Sequence, residues 1–413
     1  MRPEPLSYHE ARTRVLAAVR PLAPVRAALE DLPGRALRED VRAPHELPPF
    51  ANSAMDGYAV RAADTESAPL ELPVTAVVPA GRVAPHPLLP GTAMRIMTGA
   101  AIPPGADAIV PFEEAGRIGE GAGERVRIGA AAMPGAHVRA AGADVAAGEM
   151  LFTEGRMLSA HDVALLASLG VTTALVSPRP RVAVFSTGDE LLPPEAPLSP
   201  GAIRDGNLPM LVALAREAGG EVVCAGRLGD DPRGVAAALG EALASADAVL
   251  TIGGVSAGDF DPVKVAIEAI GGIALWRVAM RPGRPQAFGA PGGRLFFGLP
   301  GNPASVACVF EALARPALRR LQGFAGLERP RLAVRAAAPI ESRTGRVDFV
   351  RVTLEREGGA WWASPAGAQV SGHLKPQSEA HALAIVPEAA DRVARGEPLE
   401  AWVLRWPEDG PRA

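Results

Sequence analysis

The hydrophobic pattern is most regular in residues 178–327, where short apolar runs alternate with amphipathic stretches. Apolar runs of strand length occupy residues 182–185, 221–225 and 248–252. Stretches of helical length follow them at residues 207–218, 232–243 and 262–270, and a further helix is predicted after Pro303. Strands that alternate with helices in this way form a doubly wound, mostly parallel sheet. The pattern therefore predicts one α/β domain over residues 178–327.

The segments on either side of this region have different patterns. Two capping-box patterns, at residues 7–10 and 159–162, each open a predicted helix. Residues 45–142, which lie between these helices, are rich in proline and glycine and contain short strand-like runs, so they read as a β-rich insertion. Beyond Pro330 short strands recur up to about residue 404, which predicts a small β-barrel or sandwich. The expected fold is multidomain, α/β plus β.

Acidic residues follow three strands of the predicted sheet: Asp189 and Glu190, then Asp230 and Asp231, then Asp261 after a glycine-rich run. Loops at the carboxyl edge of a parallel sheet bind ligands, and a glycine-rich loop lets backbone N–H groups approach an anion. Acids there would repel a bare phosphate, so we expect Mg²⁺ between carboxylate and phosphate. Helix capping is the alternative for Asp231 and Asp261, because each precedes a proline.

Two Pro-Gly loops follow in the same domain. Residues 281–285 (RPGRP) place Arg281 and Arg284 on a rigid turn, and residues 298–303 (GLPGNP) open the helix whose first turn holds Ser305. Guanidinium groups, a helix N-terminus and a hydroxyl together make an oxyanion receptor. The alternative is that each loop only connects two elements.

Composition narrows the function classes. The chain has 413 residues, enough for about three domains, and its net charge of -4 does not indicate a nucleic-acid or anionic-membrane partner. Cys224 and Cys308 lie in apolar contexts and are predicted to be small core residues of a protein in a reducing compartment. No apolar stretch is long enough for a signal or a membrane span, so a cytoplasmic protein is expected. The seven histidines show no metal-ligand spacing, and no P-loop or nucleophile elbow is present.

Several longer strings resemble the molybdopterin molybdenumtransferase family, which includes MoeA and the gephyrin E domain. They are residues 52–59 (NSAMDGYA), 95–100 (RIMTGA), 186–191 (STGDEL), 253–258 (GGVSAG), 281–285 (RPGRP) and 298–303 (GLPGNP). Shorter segments at 345–351 and 370–373 are similar to those that complete the family's anion pocket.

The resemblance implies four domains. They are an elongated discontinuous domain at residues 1–44 and 143–177, an inserted β-rich domain at 45–142, a MogA-like α/β molybdopterin-binding domain at 178–327, and a C-terminal β-barrel domain at 328–413. It also implies a homodimer whose active cleft is shared between subunits, and a possible MogA-type adenylyltransferase as partner. The implied reaction is Mg²⁺-dependent insertion of molybdate into adenylylated molybdopterin, with release of AMP.

The resemblance assigns residues as well. Those with implied catalytic roles are Asp56, Thr98, Asp144, Glu190, Asp230 and Asp261, of which Glu190 and Asp261 would bind Mg²⁺. Those with implied substrate-binding roles are Arg281, Arg284, Pro300, Pro303, Ser305, Arg351 and Ser371. From spacing alone Asp56, Thr98 and Asp144 are turn residues, and Arg351 is an exposed strand residue.

Two motifs depart from the family pattern. The family usually carries lysines where this chain has Arg281 and Arg284, and arginine has a larger, planar head. The family's Asp-Ser-Asn is Asp205-Gly206-Asn207 here, which removes a hydroxyl.

Two other functions remain open at this point. One is adenylyl transfer from ATP to molybdopterin, as in the related one-domain MogA type. The other is a scaffold or oxyanion-binding module without turnover, as the gephyrin relatives also serve as anchoring proteins.

Overall fold

The computed structural model describes residues 5–255 and 262–407. By packing, the chain divides into two compact units. The first comprises the residues up to 39, residues 154–159 and the residues from 173 onward; the second comprises residues 40–153 and 160–172. The finer division into four domains stays a prediction.

The strands are, in chain order, β1 (Leu6–Ser7), β2 (Val25–Ala28), β3 (Val41–Arg42), β4 (Asn52–Ser53), β5 (Gly57–Val60), β6 (Leu70–Val78), β7 (Ala93–Ile96), β8 (Ala108–Pro111), β9 (Ala115–Ile118), β10 (Arg125–Ile128), β11 (Val138–Arg139), β12 (Met150–Phe152), β13 (Thr173–Val176), β14 (Arg181–Thr187), β15 (Leu191–Leu192), β16 (Ile203–Arg204), β17 (Glu221–Leu228), β18 (Ala248–Ile252), β19 (Ile273–Arg281), β20 (Pro285–Gly289), β21 (Leu295–Leu299), β22 (Arg331–Ala336), β23 (Ile340–Glu341), β24 (Val347–Glu357), β25 (Ala360–Pro365), β26 (Ala382–Val386), β27 (Arg392–Val393) and β28 (Pro398–Val403). The α-helices are α1 (Tyr8–Ala17), α2 (Ala160–Ser168), α3 (Asn207–Glu217), α4 (Pro232–Ser245), α5 (Pro262–Ile270), α6 (Pro303–Val309), α7 (Arg315–Leu321) and α8 (Lys375–Glu379), and a π-helical turn (Phe310–Ala314) joins α6 to α7.

The α/β part of the first unit is built on a sheet with the strand order β17-β14-β18-β21-β20-β19. β17, β14, β18 and β21 are parallel, whereas β20 is antiparallel to both of its neighbours, β21 and β19. Alternate residues of β14 face two different cores, because Val182 and Val184 pack in the cluster that includes Leu211 of α3, and Ala183 packs in the cluster that includes Leu239 of α4. The doubly wound, mostly parallel sheet is therefore confirmed.

The strands after Pro330 close on themselves. β24 pairs with β25, β25 with β22, β22 with β28, β28 with β26, and β26 again with β24. This is the predicted small β-barrel, and closure leaves it no free edge among these strands. β24 also pairs in parallel with the end of β19, so Met280 lies opposite Val347 and Arg281 opposite Asp348.

The second unit contains a sheet with the order β8-β5-β7-β6-β10-β9. Tyr58 and Val60 of β5 pack in one core, and Ala59 packs in another together with Met94 and Ile109. Both faces of the sheet are thus covered within this unit, and the predicted β-rich character of this stretch is confirmed.

The predicted helices are present, with one correction at a cap. The Ser7 side chain accepts a hydrogen bond from the Glu10 N–H at 3.1 Å and so caps α1, as the pattern indicates. Asparagine is a favoured capping residue, so the sequence predicts Asn207 as the cap of α3. This prediction is wrong, because Asp205 Oδ1 accepts the N–H groups of Asn207 and Leu208, both at 3.0 Å. The Asn207 amide instead donates to the Gly301 carbonyl at 2.7 Å.

One of the two cysteine predictions was also wrong. Cys308 of α6 is buried, but Cys224 of β17 is exposed. β17 is the outermost strand of the sheet on its side, so its apolar composition does not place it in the core. Among the described helices, none has the length and apolar character that crossing a bilayer requires.

Candidate active site

The sheet order brings two of the three acidic loops together. β17 and β14 are neighbours, and the loops that follow them place Asp230 and Glu190 on the wall of one cavity of about 380 Å³, the Glu190 cavity. Gly253 and Gly254, after β18, line the same cavity, and so do Pro300 and Asn302. Asp261 lies outside the described residues. The carboxyl edge of the sheet therefore holds a concave, acidic site, as expected for this fold.

The glycine before this acid pair has a specific role. Gly188 has a φ of 140°, and a Cβ built on it would lie 2.7 Å from the Glu190 Cδ. The Glu190 carboxylate thus occupies the space that a side chain at position 188 would fill. Glu190 is exposed, and no other described residue pairs with it, so its charge is available to a ligand.

The neighbouring aspartates divide into three roles. The Asp230 N–H donates to Asp189 Oδ1 at 3.1 Å, and the Asp189 N–H donates to Asp230 Oδ2 at 3.4 Å, so the two loops hold each other. Asp231 accepts the Arg233 and Gly234 N–H groups at 3.3 and 2.9 Å and caps α4. Asp231 is therefore a cap, Asp189 ties the loops, and Asp230 both ties the loops and lines the cavity.

The Glu190 cavity fits a magnesium ion in its donor chemistry. Mg²⁺ in substrate sites takes one or two carboxylates, and its remaining ligands are water and phosphate oxygens. Glu190 and Asp230 supply two carboxylates on one wall. Across residues 5–255 and 262–407 no cluster of three or more histidine, cysteine, aspartate or glutamate side chains has the geometry of a metal site. Mg²⁺ binding at this cavity, with water and substrate oxygens as its remaining ligands, stays a prediction.

The turn between β19 and β20 lies at the junction of three cavities. Pro285 lines the Glu190 cavity. Arg281 lines a cavity of about 330 Å³ together with Arg351 and Ser371, the Ser371 cavity. Arg281 also lines a third cavity, of about 460 Å³, which Arg284 shares. The acidic and the arginine-lined sites therefore adjoin along one short turn.

Gln286 and Gly283 fix this turn, and sequence reasoning included only the glycine, as part of RPGRP. The buried Gln286 amide donates to the Gly283 carbonyl at 2.7 Å, which closes the turn from within. Gly283 has a φ of 104°, and a Cβ there would clash with Val309 of α6. The turn consequently packs against α6. The available signal in the sequence was Gln286 itself, which directly follows RPGRP and opens the apolar run Ala287-Phe288. An amide side chain that is buried in such a strand needs a hydrogen-bond partner.

The start of α6 connects the turn to the Ser371 segment. Pro300 lines the Glu190 cavity, and Pro303 is the first residue of α6, where proline is well tolerated. Ser305 is buried in the first turn of α6, and its carbonyl oxygen lies next to Gly283. The Ala304 N–H donates to the Ser371 carbonyl at 3.0 Å. Ser305 and Ser371 are thus held on the same helix start.

Arg351 is buried, with 3% exposure, which corrects its interpretation as an exposed strand residue. Its guanidinium donates to the carbonyls of Ala368, Val370 and His373 at 3.2, 3.1 and 3.1 Å. Burial lowers the pKa of the Arg351 guanidinium. This arginine fastens the 368–373 segment, which carries Ser371 to the cavity wall.

Asp348 is a further residue that the sequence did not single out. It is buried in the wall of the Ser371 cavity and forms ion pairs with Arg346 at 2.8 Å and with Arg281 at 3.7 Å. Arg281 is held over the cavity by this pair, although its side chain remains 47% exposed. Asp348 therefore orients the arginine that the Ser371 cavity and the third cavity share.

In the second unit, Asp56 and Thr98 form a pair. The Thr98 N–H and hydroxyl both donate to Asp56 Oδ1, at 2.6 and 2.7 Å. These two bonds, the backbone one first, lower the pKa of the exposed Asp56 carboxyl. Asp144 lies on a turn in the same unit, where its N–H donates to the Leu47 carbonyl at 2.9 Å. The structure thus joins Asp56 to Thr98, and the roles of all three residues stay predictions.

Replacing Thr98 by valine should raise the pKa of Asp56 toward that of an ordinary aspartate. The change keeps a similar side-chain shape but removes the hydroxyl that donates to the Asp56 carboxylate. The ionised form of Asp56 is then stabilised less, so its neutral form gains population. In the native chain Asp56 therefore stays ionised to lower pH than in the variant, which a carbon-detected NMR titration of the Asp56 carboxyl measures. Thr92→Val, on another turn of the same unit, is the matched control. Equal titration of Asp56 in the three proteins would show that the hydroxyl does not act on it.

Family models cover most of the chain. Residues 6–170 match the MoeA N-terminal region (domain I and II), residues 183–320 match a probable molybdopterin binding domain, and residues 333–404 match the MoeA C-terminal region (domain IV).

Individual proteins agree with these models. The chain is 40% identical over 408 residues to molybdopterin molybdenumtransferase 2 of Mycobacterium tuberculosis, covering 96% of this chain and 99% of that protein. It is 35% identical over 387 residues to the molybdopterin molybdenumtransferase of Bacillus subtilis, covering 92% and 89%. A crystal structure of a molybdopterin biosynthesis MoeA protein from Pyrococcus horikoshii superimposes with a TM-score of 0.81 at 32% identity, covering 98% of this chain and 100% of that one. The chain belongs to the molybdopterin molybdenumtransferase (MoeA) family.

Proposed function

We propose that this chain inserts molybdenum into molybdopterin: it takes adenylylated molybdopterin and molybdate and releases molybdenum cofactor and AMP. One observation carries the proposal. The cavity lined by Glu190 and Asp230 and the cavity lined by Arg281 and Ser371 meet at the turn of residues 281–285. An acidic site next to a cationic site suits a reaction that brings a metal-chelated phosphoanhydride and a small inorganic dianion close to each other. Family membership supports the choice of substrates.

The acidic side would serve the leaving nucleotide. Glu190 and Asp230, with Asp261 as a predicted third acid, would hold Mg²⁺ in the Glu190 cavity. A magnesium ion bound there neutralises charge that develops on the leaving phosphate. The residues themselves have to present their carboxylates without a competing partner, and Glu190 meets this requirement.

The cationic side would hold molybdate, a tetrahedral dianion. Arg284, Ser305, Arg351 and Ser371 are the proposed binding residues, with Arg281 beside them. The contacts of Arg351 support an indirect contribution, because its donors fasten the segment that carries Ser371. Arg281 and Ser371 are then the groups with free access to the Ser371 cavity, where charge-assisted hydrogen bonds to an oxyanion are strongest.

The wider setting is part of the same proposal. The working form would be a cytoplasmic homodimer in which Asp56, Thr98 and Asp144 of one subunit complete the site of the other. A MogA-type adenylyltransferase would supply the adenylylated substrate.

Measurement of AMP release from adenylylated molybdopterin tests this function directly. With Mg²⁺ and molybdate present and ATP absent, we expect turnover, and removal of divalent ions by EDTA should lower the rate by roughly a hundredfold or more. Restoring Mg²⁺ should restore the rate. Adenylyl transfer makes the opposite prediction, ATP consumption that does not need molybdate. A binding module without turnover predicts no AMP under any of these conditions.

A further inference from the structure

The third cavity beside the arginine turn has an unusual charge. Four arginines line it, Arg281, Arg284, Arg343 and Arg346, and we refer to it as the four-arginine cavity. Among the described residues, the others that line it are uncharged: Pro5, Val278, Ala279, Met280, Pro282, Gly283, Thr344 and Gly345. The cavity has a volume of about 460 Å³, in the range of small-molecule sites.

Strand pairing brings the four side chains together from two loops. β19 ends where β24 begins, because the two are parallel and Arg281 lies opposite Asp348. The turn that leaves β19 carries Arg281 and Arg284, and the loop that enters β24 carries Arg343 and Arg346. Both loops are anchored to the same strand pair. The arginines therefore converge because β19 and β24 pair in the fold, although the two loops are far apart in the sequence.

The charges of this cavity are only partly compensated. Asp348 pairs with Arg281 and Arg346, at 3.7 and 2.8 Å. Within residues 5–255 and 262–407 no ion pair or hydrogen bond engages the guanidinium of Arg284 or of Arg343, and both residues are exposed. Four guanidiniums against one carboxylate leave a local excess of three positive charges, a field that attracts and concentrates anions.

The abundance of arginine in this chain does not account for the site. Its only lysines are Lys264 and Lys375, so the choice of arginine over lysine carries little information. The placement does carry information, since four cations share a concave wall on which no described residue is an acid. Guanidinium forks can bind phosphate oxygens in pairs, which a lysine ammonium cannot do.

We propose that the four-arginine cavity is a second anion site, for the phosphate monoester of an organic ligand, with Arg284 and Arg343 as its principal ligands. A lone tetrahedral oxyanion would occupy a small part of its volume, so an ester with an organic group beyond the phosphate fits it better. The site is separate from the Ser371 cavity, although Arg281 lines both cavities. The proposed function also assigns Arg281 and Arg284 to molybdate, so Arg343 and Arg346 are the arginines that belong to this site alone. The inference goes beyond the proposed function, because such binding needs no turnover.

Isothermal titration of the whole chain with AMP and with inorganic phosphate, in buffer of about 50 mM ionic strength, tests the site. Arg343→Gln should weaken AMP binding roughly three- to tenfold, the loss expected when one exposed charge-assisted contact disappears. Arg343→Lys should recover part of the affinity, since it restores charge without the fork. Arg356→Gln is the matched control. Arg356 is an exposed arginine at the far end of β24, the strand that the Arg343 loop enters.

The outcomes separate cleanly. If Arg343→Gln weakens AMP and phosphate alike, the phosphate group alone is recognised and the site stands; if it weakens AMP only, the ester as a whole is recognised and the site also stands. Equal affinities in Arg343→Gln and Arg356→Gln, or no binding of either anion to the native chain, overturn the proposal. The titrations contain EDTA, so that Mg²⁺-dependent binding of AMP at the Glu190 cavity does not contribute, and AMP release is assayed separately. Loss of AMP release with retained Arg343-dependent binding overturns the proposed function alone, and the reverse result overturns this site alone.

Discussion

Glu190→Gln is expected to lower AMP release by roughly 10²–10³-fold while the chain stays folded. The substitution keeps the size of the side chain and removes one of the two charges that the described residues bring to the Glu190 cavity. Loss of that charge weakens the hold on a hard cation, and the cation would provide several kcal/mol of transition-state stabilisation. Because Glu190 is exposed, the midpoint of thermal unfolding should stay within about 2 °C of the native value.

The measurement is the rate of AMP release over a Mg²⁺ titration. If Glu190 acts by holding the ion, high Mg²⁺ should recover part of the lost rate. Glu195→Gln is the control, since Glu195 is another exposed glutamate in the loop after β15. Equal rates for the two variants would exclude Glu190 from the reaction. No AMP release from the native chain or from either variant, with ligand binding retained, would favour a module that binds ligand without turnover.

The acidic side of the site was predictable because its determinants are local. A strand that ends in glycine and acid, followed by a helix, occurs three times in residues 178–327, and parallel strands put such loops on one edge. The prediction needed only that β17 and β14 be neighbours, which the sheet order confirms. Even the use of Asp231 as a cap was one of the alternatives that the Asp-Pro pair indicates.

The arginine side was less predictable because its determinants are pairings between distant segments. The parallel pairing of β19 with β24 joins the α/β sheet to the barrel. The hydrophobic pattern near Arg281 and Arg346 does not indicate which strands pair there. That contact creates the buried Asp348 pair. For the same reason the sequence wrongly predicted that Arg351 is exposed. Polar and apolar residues alternate along β24, but the closed barrel covers one face of the strand and the 368–373 segment covers the other.

The cap of α3 shows how a local rule can fail by two residues. Asn207 is a good capping residue by type, yet Asp205 takes this role and is itself fixed by the Ser186 hydroxyl at 2.5 Å. Ser186 is the penultimate residue of β14, the strand that leads into the Glu190 loop, so the cap is tied to the site. With the cap function moved to Asp205, the Asn207 side chain is free to bind the Gly301 carbonyl, and the 300–302 segment is held against α3.

Arg351→Met should disorder the Ser371 segment and lower AMP release by about a hundredfold. Methionine fills much of the buried volume but leaves the carbonyls of Ala368, Val370 and His373 without their donor. The three carbonyls belong to exposed residues and can turn to water once their donor is lost, so the segment should move toward solvent, and the free energy of unfolding should fall by roughly 2–4 kcal/mol. Ser371 would then leave the cavity wall.

Hydrogen exchange reports this change at a defined amide. The Ala304 N–H is protected by the Ser371 carbonyl, so its exchange should accelerate in Arg351→Met together with that of the 368–373 segment. The KM for molybdate should rise in parallel. Arg356→Met, at the exposed end of the same strand, should change neither quantity. A variant that loses molybdate affinity while Ala304 keeps its protection would instead make Arg351 a direct ligand of the oxyanion, because a positioning residue cannot act without moving the segment that it holds.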